Sequence, residues 1–114
     1  MKNTGLKNRF PDDVKYEWAF WYECMVCGMN GWDCLHHTLS ITVRHYKTGN
    51  FNKSILNSCP LCNFKCHIGN DGFLHKDETI KMLLNKVKNA LIDELKYELK
   101  PIDKEFLSVY QDLY

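Results

Sequence analysis

The sequence predicts a small α+β domain whose middle is organised by metal and whose C-terminal third forms two helices. Three observations predict it. Cysteine, histidine and glycine concentrate between residues 24 and 70, where apolar runs are short, Leu39 to Val43 and Ser54 to Leu56 being the main ones. Six cysteines lie in a chain of 114 residues that opens on MKNTGLKNRFPDD, without the apolar core of a signal peptide. That combination points to reducing cytoplasm, where clustered cysteines hold metal more often than they form disulfides. From residue 77 onward, apolar residues recur at helical spacing.

With 45% hydrophobic residues the chain can build one modest core and not two. Its net charge of +1 excludes a polycation that coats nucleic acid indiscriminately, so any attraction for phosphate must be local. No run of about eighteen apolar residues occurs, so a membrane partner is not expected.

Taken in order, residues 1–15 are polar, carry Pro11, Asp12 and Asp13, and read as a loosely packed arm before a single domain over 16–114. The aromatic run Tyr16 to Tyr22 suits a strand or one turn of buried helix, and periodicity leaves both open. A metal-dependent core spans about 24–75, and a helical buttress spans 77–113. In the buttress, Asp77 is the expected N-cap of a helix carrying Ile80, Leu83, Leu84, Val87, Leu91, Leu95 and Leu99, stopped by Pro101. A second helix begins near Asp103, with Ile102 and Leu107 as a hydrophobic staple.

The core contains two groups of cysteines. Cys24-Met25-Val26-Cys27-Gly28 has the form of a zinc knuckle, whose backbone turns amides toward a thiolate pair. The second group, "NSCPLCNFKCH", offers Cys59, Cys62 and Cys66, one more than a four-cysteine site needs. Zinc could take Cys62 with Cys66, or Cys59 with Cys62, and Cys34 reads as a free buried thiol. Such a site is closed and explains folding, not chemistry.

The histidines do not follow zinc-finger spacing. In "CLHHTLS", His36 and His37 are adjacent, so on a strand they point to opposite faces. The order His36-His37, Asn57, then Cys66-His67 resembles the HNH endonucleases, and the cysteines around it resemble the zinc-stapled branch of that family. "NGWDCLHH", "LNSCPLCNFKCHIGN" and "PIDKEFLSVYQDLY" are similar to small HNH proteins carried by bacteriophages, and the likeness covers about residues 16–113.

The resemblance implies a ββα-metal (His-Me finger) core and hydrolysis of DNA phosphodiester bonds to 5′-phosphate and 3′-hydroxyl ends. By position it implies that His37 is the general base taking a proton from water. It makes His36 and His67 ligands of a catalytic ion, and Asn57 the residue whose carbonyl orients the His37 imidazole. An imidazole titrating near pH 6.5 suits the role of base. A mixed nitrogen and oxygen site with open positions suits Mg2+ or Mn2+, and also admits nickel or zinc, while Zn2+ is expected at the cysteines.

Two features depart from the family pattern. Cys62 and Cys66 are separated by three residues where the family has C-x2-C, and the histidine often found four residues after the first is Asp71 here. The third ligand of the catalytic ion is therefore Asn70 by preference, with Asp71 and His75 as alternatives. His45 reads as a solvated loop residue.

Between Asp33 and Asp71 there is no acidic residue, although the chain has 14 acids, and Arg44, Lys47, Lys53 and Lys65 all fall there. Arg44, Lys47 and Lys53 are the expected contacts to the backbone of DNA, double-stranded or branched. An anionic zinc-thiolate centre that tolerates acids poorly would also account for the gap. The competing reading of the whole chain is a non-catalytic zinc-ribbon or treble-clef module that binds nucleic acid or protein. It accounts for the cysteines and leaves the double histidine unexplained. Nothing in the sequence specifies an oligomeric state.

Overall fold

A computed structural model of the chain describes residues 10–39, 53–69 and 71–114. The described residues form an α+β domain in which a two-stranded sheet packs with helices.

Helix α1 (Asp12–Trp18) starts behind Pro11, and its first turn carries Asp12 and Asp13, where negative charge favours a helix N-terminus. Phe10, Val14 and Trp18, spaced by four, form one buried stripe. This corrects the expectation of a loose arm: residues 10–15 belong to the fold, because that stripe buries three apolar side chains. Residues 1–9 lie outside the described residues. Trp18 also settles the aromatic run as helix end and turn; its indole N–H donates to Ser58 Oγ at 2.6 Å, while Tyr16, Phe20 and Tyr22 are exposed.

Strands β1 (Cys34–His37) and β2 (Ser58–Leu61) pair antiparallel, with Cys34 opposite Leu61, Leu35 opposite Pro60, His36 opposite Cys59 and His37 opposite Ser58. A single buried 3₁₀ turn, Ile55–Asn57, leads into β2 and is capped by Ser54 Oγ, which accepts from the Leu56 amide at 3.1 Å. After β2 come a wide π-type turn (Asn63–Ile68), the short helix α2 (Asp71–Leu74) and the long helix α3 (Asp77–Asn89), which continues as a second wide turn over Ala90–Glu94.

Helix α3 buries Ile80, Leu83, Leu84 and Val87 along the expected stripe, but Lys76 occupies its cap position, and Asp77 and Glu78 fill the first turn. The helical path ends at Leu95 and not at Leu99. Lys96 takes a left-handed φ of 54°, and the Tyr97 amide turns back to the Leu91 carbonyl at 2.7 Å. Helix α4 (Pro101–Val109) has proline in its first turn and buries Asp103 and Phe106, where the sequence suggested a staple of Ile102 and Leu107.

Asp103 is a buried junction. Its carboxylate accepts from Ser54 Oγ at 2.6 Å, from the Lys100 amide at 2.8 Å and from the Tyr97 hydroxyl, which ties α4 to the turn that carries Asn57. Burial and then the bond to Asp103 push the Tyr97 phenol far up, so it stays a donor. Trp18, Leu39, Leu61, Leu74, Leu83, Leu84, Leu91 and Phe106 form the centre of the core. Among the described residues, no helix is long and apolar enough to cross a membrane.

Candidate metal and histidine centres

The knuckle closes through a left-handed Gly28 (φ 77°), whose amide bonds to the Cys24 carbonyl at 2.9 Å. A side chain at that φ would be strained. The Val26 and Cys27 amides point at Cys24 Sγ from 3.4 and 3.5 Å, and Met25 N–H bonds to the Pro60 carbonyl at 2.9 Å, which seats the knuckle on β2. On the other side stand Cys62, at the end of β2, and Cys66, on the wide turn.

The sulfur atoms of Cys24, Cys27, Cys62 and Cys66 all lie within 4.8 Å of one another, with Cys27 and Cys62 at 3.9 Å. A tetrahedral zinc with bonds of about 2.3 Å sets neighbouring sulfurs roughly 3.8 Å apart, so this donor set fits the ion. Burial raises the Cys24 thiol, but the amides of Cys27, Cys62 and Val26 and the Cys66 side chain outweigh it and bring the thiol down to about 6. Burial, and then the neighbouring thiols of Cys62, Cys24 and Cys27, push Cys66 far up. Four sulfurs this close ionise together only when a cation shares their charge.

The choice left open by the sequence falls to Cys62 with Cys66. Cys59 is fully buried in β2, outside the group, and burial pushes its thiol far up. Cys34 is half-buried and raised to about 11 by burial, then by Asp33 and the nearby Cys24 and Cys62. The extra residue between Cys62 and Cys66 is absorbed by the wide turn: the Cys66 and His67 amides both reach the Cys62 carbonyl at 3.1 Å. A helical turn widened in this way takes up one inserted residue and keeps the next residues on their face.

Alternation along β1 sends the two histidines apart. His36 is buried, and its ring centroid lies 5.1 Å from that of His67 and 6.4 Å from that of His75. Two imidazoles that share an ion through nitrogens at about 2.1 Å put their centroids roughly 4.5–5.3 Å apart. His36 and His67 meet that spacing; exposed His75 stands about 1 Å farther out, and among the described residues only the four cysteines bring three or more ligand atoms together. Of the three alternatives for a third ligand, His75 is the one whose side chain is seen here at the histidines. Asn70, and the side chain of Asp71, lie outside the described residues.

His67 Nδ1 meets Asn63 Oδ1 at 3.2 Å. An amide oxygen only accepts, so Nδ1 is the donor in this bond, which leaves Nε2 as the nitrogen that would face an ion. Asn63 was not among the expected site residues, although its N-x3-H spacing from His67 places both on one helical face.

His37, half-buried on the opposite face of β1, stacks on Phe10 with centroids 4.0 Å apart and planes 16° from parallel. Burial first, then the charge of Lys53, lowers its imidazole to about 4, so the ring is neutral at physiological pH. It opens on a cleft that Lys15, Trp32 and Asp33 also line.

Asn57 is fully buried, and its amide grips the backbone just beyond His37. Oδ1 accepts from the Leu39 amide at 2.7 Å, Nδ2 donates to the Leu39 carbonyl at 3.2 Å, and the Asn57 carbonyl accepts from the Thr38 amide at 2.9 Å. The family pattern implied that the Asn57 side-chain carbonyl meets the imidazole; the bonds seen here hold the chain that carries it. Lys53 is exposed near His37, and Arg44, Lys47 and His45 lie outside the described residues.

Compared with known proteins, the chain matches no family model, no curated protein and no solved structure.

Proposed function

We propose that the protein is a metal-dependent DNA endonuclease of the ββα-metal kind, stapled by a zinc at Cys24, Cys27, Cys62 and Cys66. The observation that carries this reading is the gathering of His36, His67 and His75 from a strand, a helical turn and a helix end, with neutral His37 next along the strand. A purely structural zinc module has no need of the second group.

His36 and His67 would hold the divalent ion, with His75 the nearest third side chain; when bound, the ion supplies charge stabilisation for the phosphate and the departing 3′ oxygen. His37 accepts the proton of the attacking water. Its low proton affinity in the free protein rises once a phosphate anion approaches, since negative charge favours the imidazolium and offsets Lys53. Asn57 holds residues 38 and 39, which fixes the end of the strand that presents His37. The products are 5′-phosphate and 3′-hydroxyl ends.

One observation favours the competing reading of a non-catalytic module: Phe10 covers a face of His37. A single assay separates the two. Zinc-loaded protein given supercoiled plasmid and Mg2+ or Mn2+ is expected to nick or linearise it, and EDTA to stop the reaction. A folded, zinc-loaded protein that leaves plasmid and branched DNA intact with either ion would defeat the nuclease reading.

A further inference from the structure

Helix α1 lies on the face of the sheet that carries His37. His37 and Ser58 stand opposite one another in the strand register, so their side chains share a face. The buried stripe of α1 reaches both: the Trp18 indole N–H donates to Ser58 Oγ at 2.6 Å, and Phe10, at the other end of the stripe, stacks on the His37 ring. Phe10 is itself held, being 5% exposed and part of the core, and the Val14 amide bonds back to the Pro11 carbonyl at 3.1 Å just after it.

The His37 imidazole lacks any other fixed neighbour of this kind. The torsion that turns the ring is broad, so a hydrogen bond or a packed face must select one orientation. Among the described residues no hydrogen bond is made to the His37 ring, and the Asn57 amide, whose carbonyl the family pattern gives that task, meets Leu39 with both its ends. The phenyl ring of Phe10 lies 16° from the imidazole plane with centroids 4.0 Å apart, so rotating the imidazole out of that plane drives its edge into the phenyl ring. Stacking covers a π face and not the two nitrogens, whose lone pair and N–H lie in the ring plane. Proton transfer at the ring edge is therefore compatible with the stack.

We infer that Phe10 is the positioning residue of His37, holding the imidazole in one plane by stacking while Asn57 holds the strand end that carries it. The inference rests on the nuclease reading of His37 for its cleavage readout alone. It gives the segment before α1 a part in the site, since a base aligned on its water before the reaction begins has less freedom to lose on the way to the transition state.

The test compares wild type with three variants at matched zinc content: Phe10→Leu keeps the apolar bulk and removes the flat face, Phe10→Tyr keeps both, and Val14→Ala loosens the same stripe away from His37. Proton NMR of protein with labelled histidine, its His37 ring signals identified from His37→Gln, is expected to show those signals moved upfield by the aromatic ring in wild type and Phe10→Tyr and not in Phe10→Leu. In plasmid cleavage, kcat is expected to fall about tenfold in Phe10→Leu with KM within about twofold of wild type, and to stay near wild type in Phe10→Tyr and Val14→Ala. Unshifted His37 signals in wild type, a folded Phe10→Leu with wild-type kcat, or an equal loss in Val14→Ala would overturn it. If Phe10→Leu does not fold, the wild-type signals decide: an upfield shift with a Phe10–His37 Overhauser contact upholds the positioning, and the absence of either overturns it. If wild type does not cleave plasmid, the nuclease reading fails by itself, and the same signals still decide whether Phe10 holds the ring.

Discussion

Replacing Asn57 by alanine removes both side-chain bonds to Leu39 and leaves that residue's amide and carbonyl facing a cavity in a fully buried setting. A net hydrogen bond contributes about 1 kcal/mol, and a buried group left without its partner costs about 1–3 kcal/mol. Two stranded backbone groups therefore amount to roughly 2–6 kcal/mol, a large share of the stability of a small domain. Urea denaturation at saturating zinc reads this as a lower midpoint at unchanged slope. Asn57→Asp is a sharper probe, because its oxygen still accepts from the Leu39 amide while the other oxygen faces the Leu39 carbonyl; it should destabilise at neutral pH by a similar amount. A loss below about 1 kcal/mol for both variants would refute the reasoning that Asn57 clamps the strand end.

The same structure sets further expected outcomes. Cys66→Ala and Cys27→Ala should abolish stoichiometric zinc while Cys59→Ala and Cys34→Ala retain it, as metal analysis of the purified proteins would show. Stripping zinc with a strong chelator should unfold the segment between the knuckle and α2, read as new proteolytic cleavage there and reversed by zinc. Asp103→Asn should cost about 2–4 kcal/mol, because an amide nitrogen replaces one of two oxygens that accept from Ser54, Tyr97 and Lys100, and a thermal melt would reveal it. His36→Ala and His67→Ala should each weaken Mn2+ or Ni2+ binding about 10- to 100-fold without loss of zinc, and Asn63→Ala should weaken it less, all measurable by titration calorimetry.

Much of the fold was legible where one physical signal dominates. The knuckle is readable from C-x2-C-Gly because a left-handed glycine closes that turn, and the stripe of α3 is readable from residues 80 to 91 because burial imposes helical spacing. That His36 and His37 face opposite ways was legible only on the condition of a strand, which β1 supplies. What the sequence hid was decided by geometry at longer range. Cys62 with Cys66 could not be preferred over Cys59 without knowing that a wide turn absorbs the extra residue. Asp103 looked like a helix start and is a buried junction between three segments. Phe10, Val14 and Trp18 carried a readable spacing of four, masked by the polar residues between them. The reversal at Lys96 that closes the helical path after Leu95 has no sequence mark, since lysine rarely takes a left-handed φ.

The most direct test of the central claim is cleavage of supercoiled plasmid by wild type and His37→Ala at matched zinc content, in Mn2+ and with an EDTA control. Wild type is expected to nick or linearise the plasmid in a metal-dependent way, and the variant to lose about 100-fold or more of that activity with fold and zinc unchanged. Cleavage that survives in His37→Ala would contradict it.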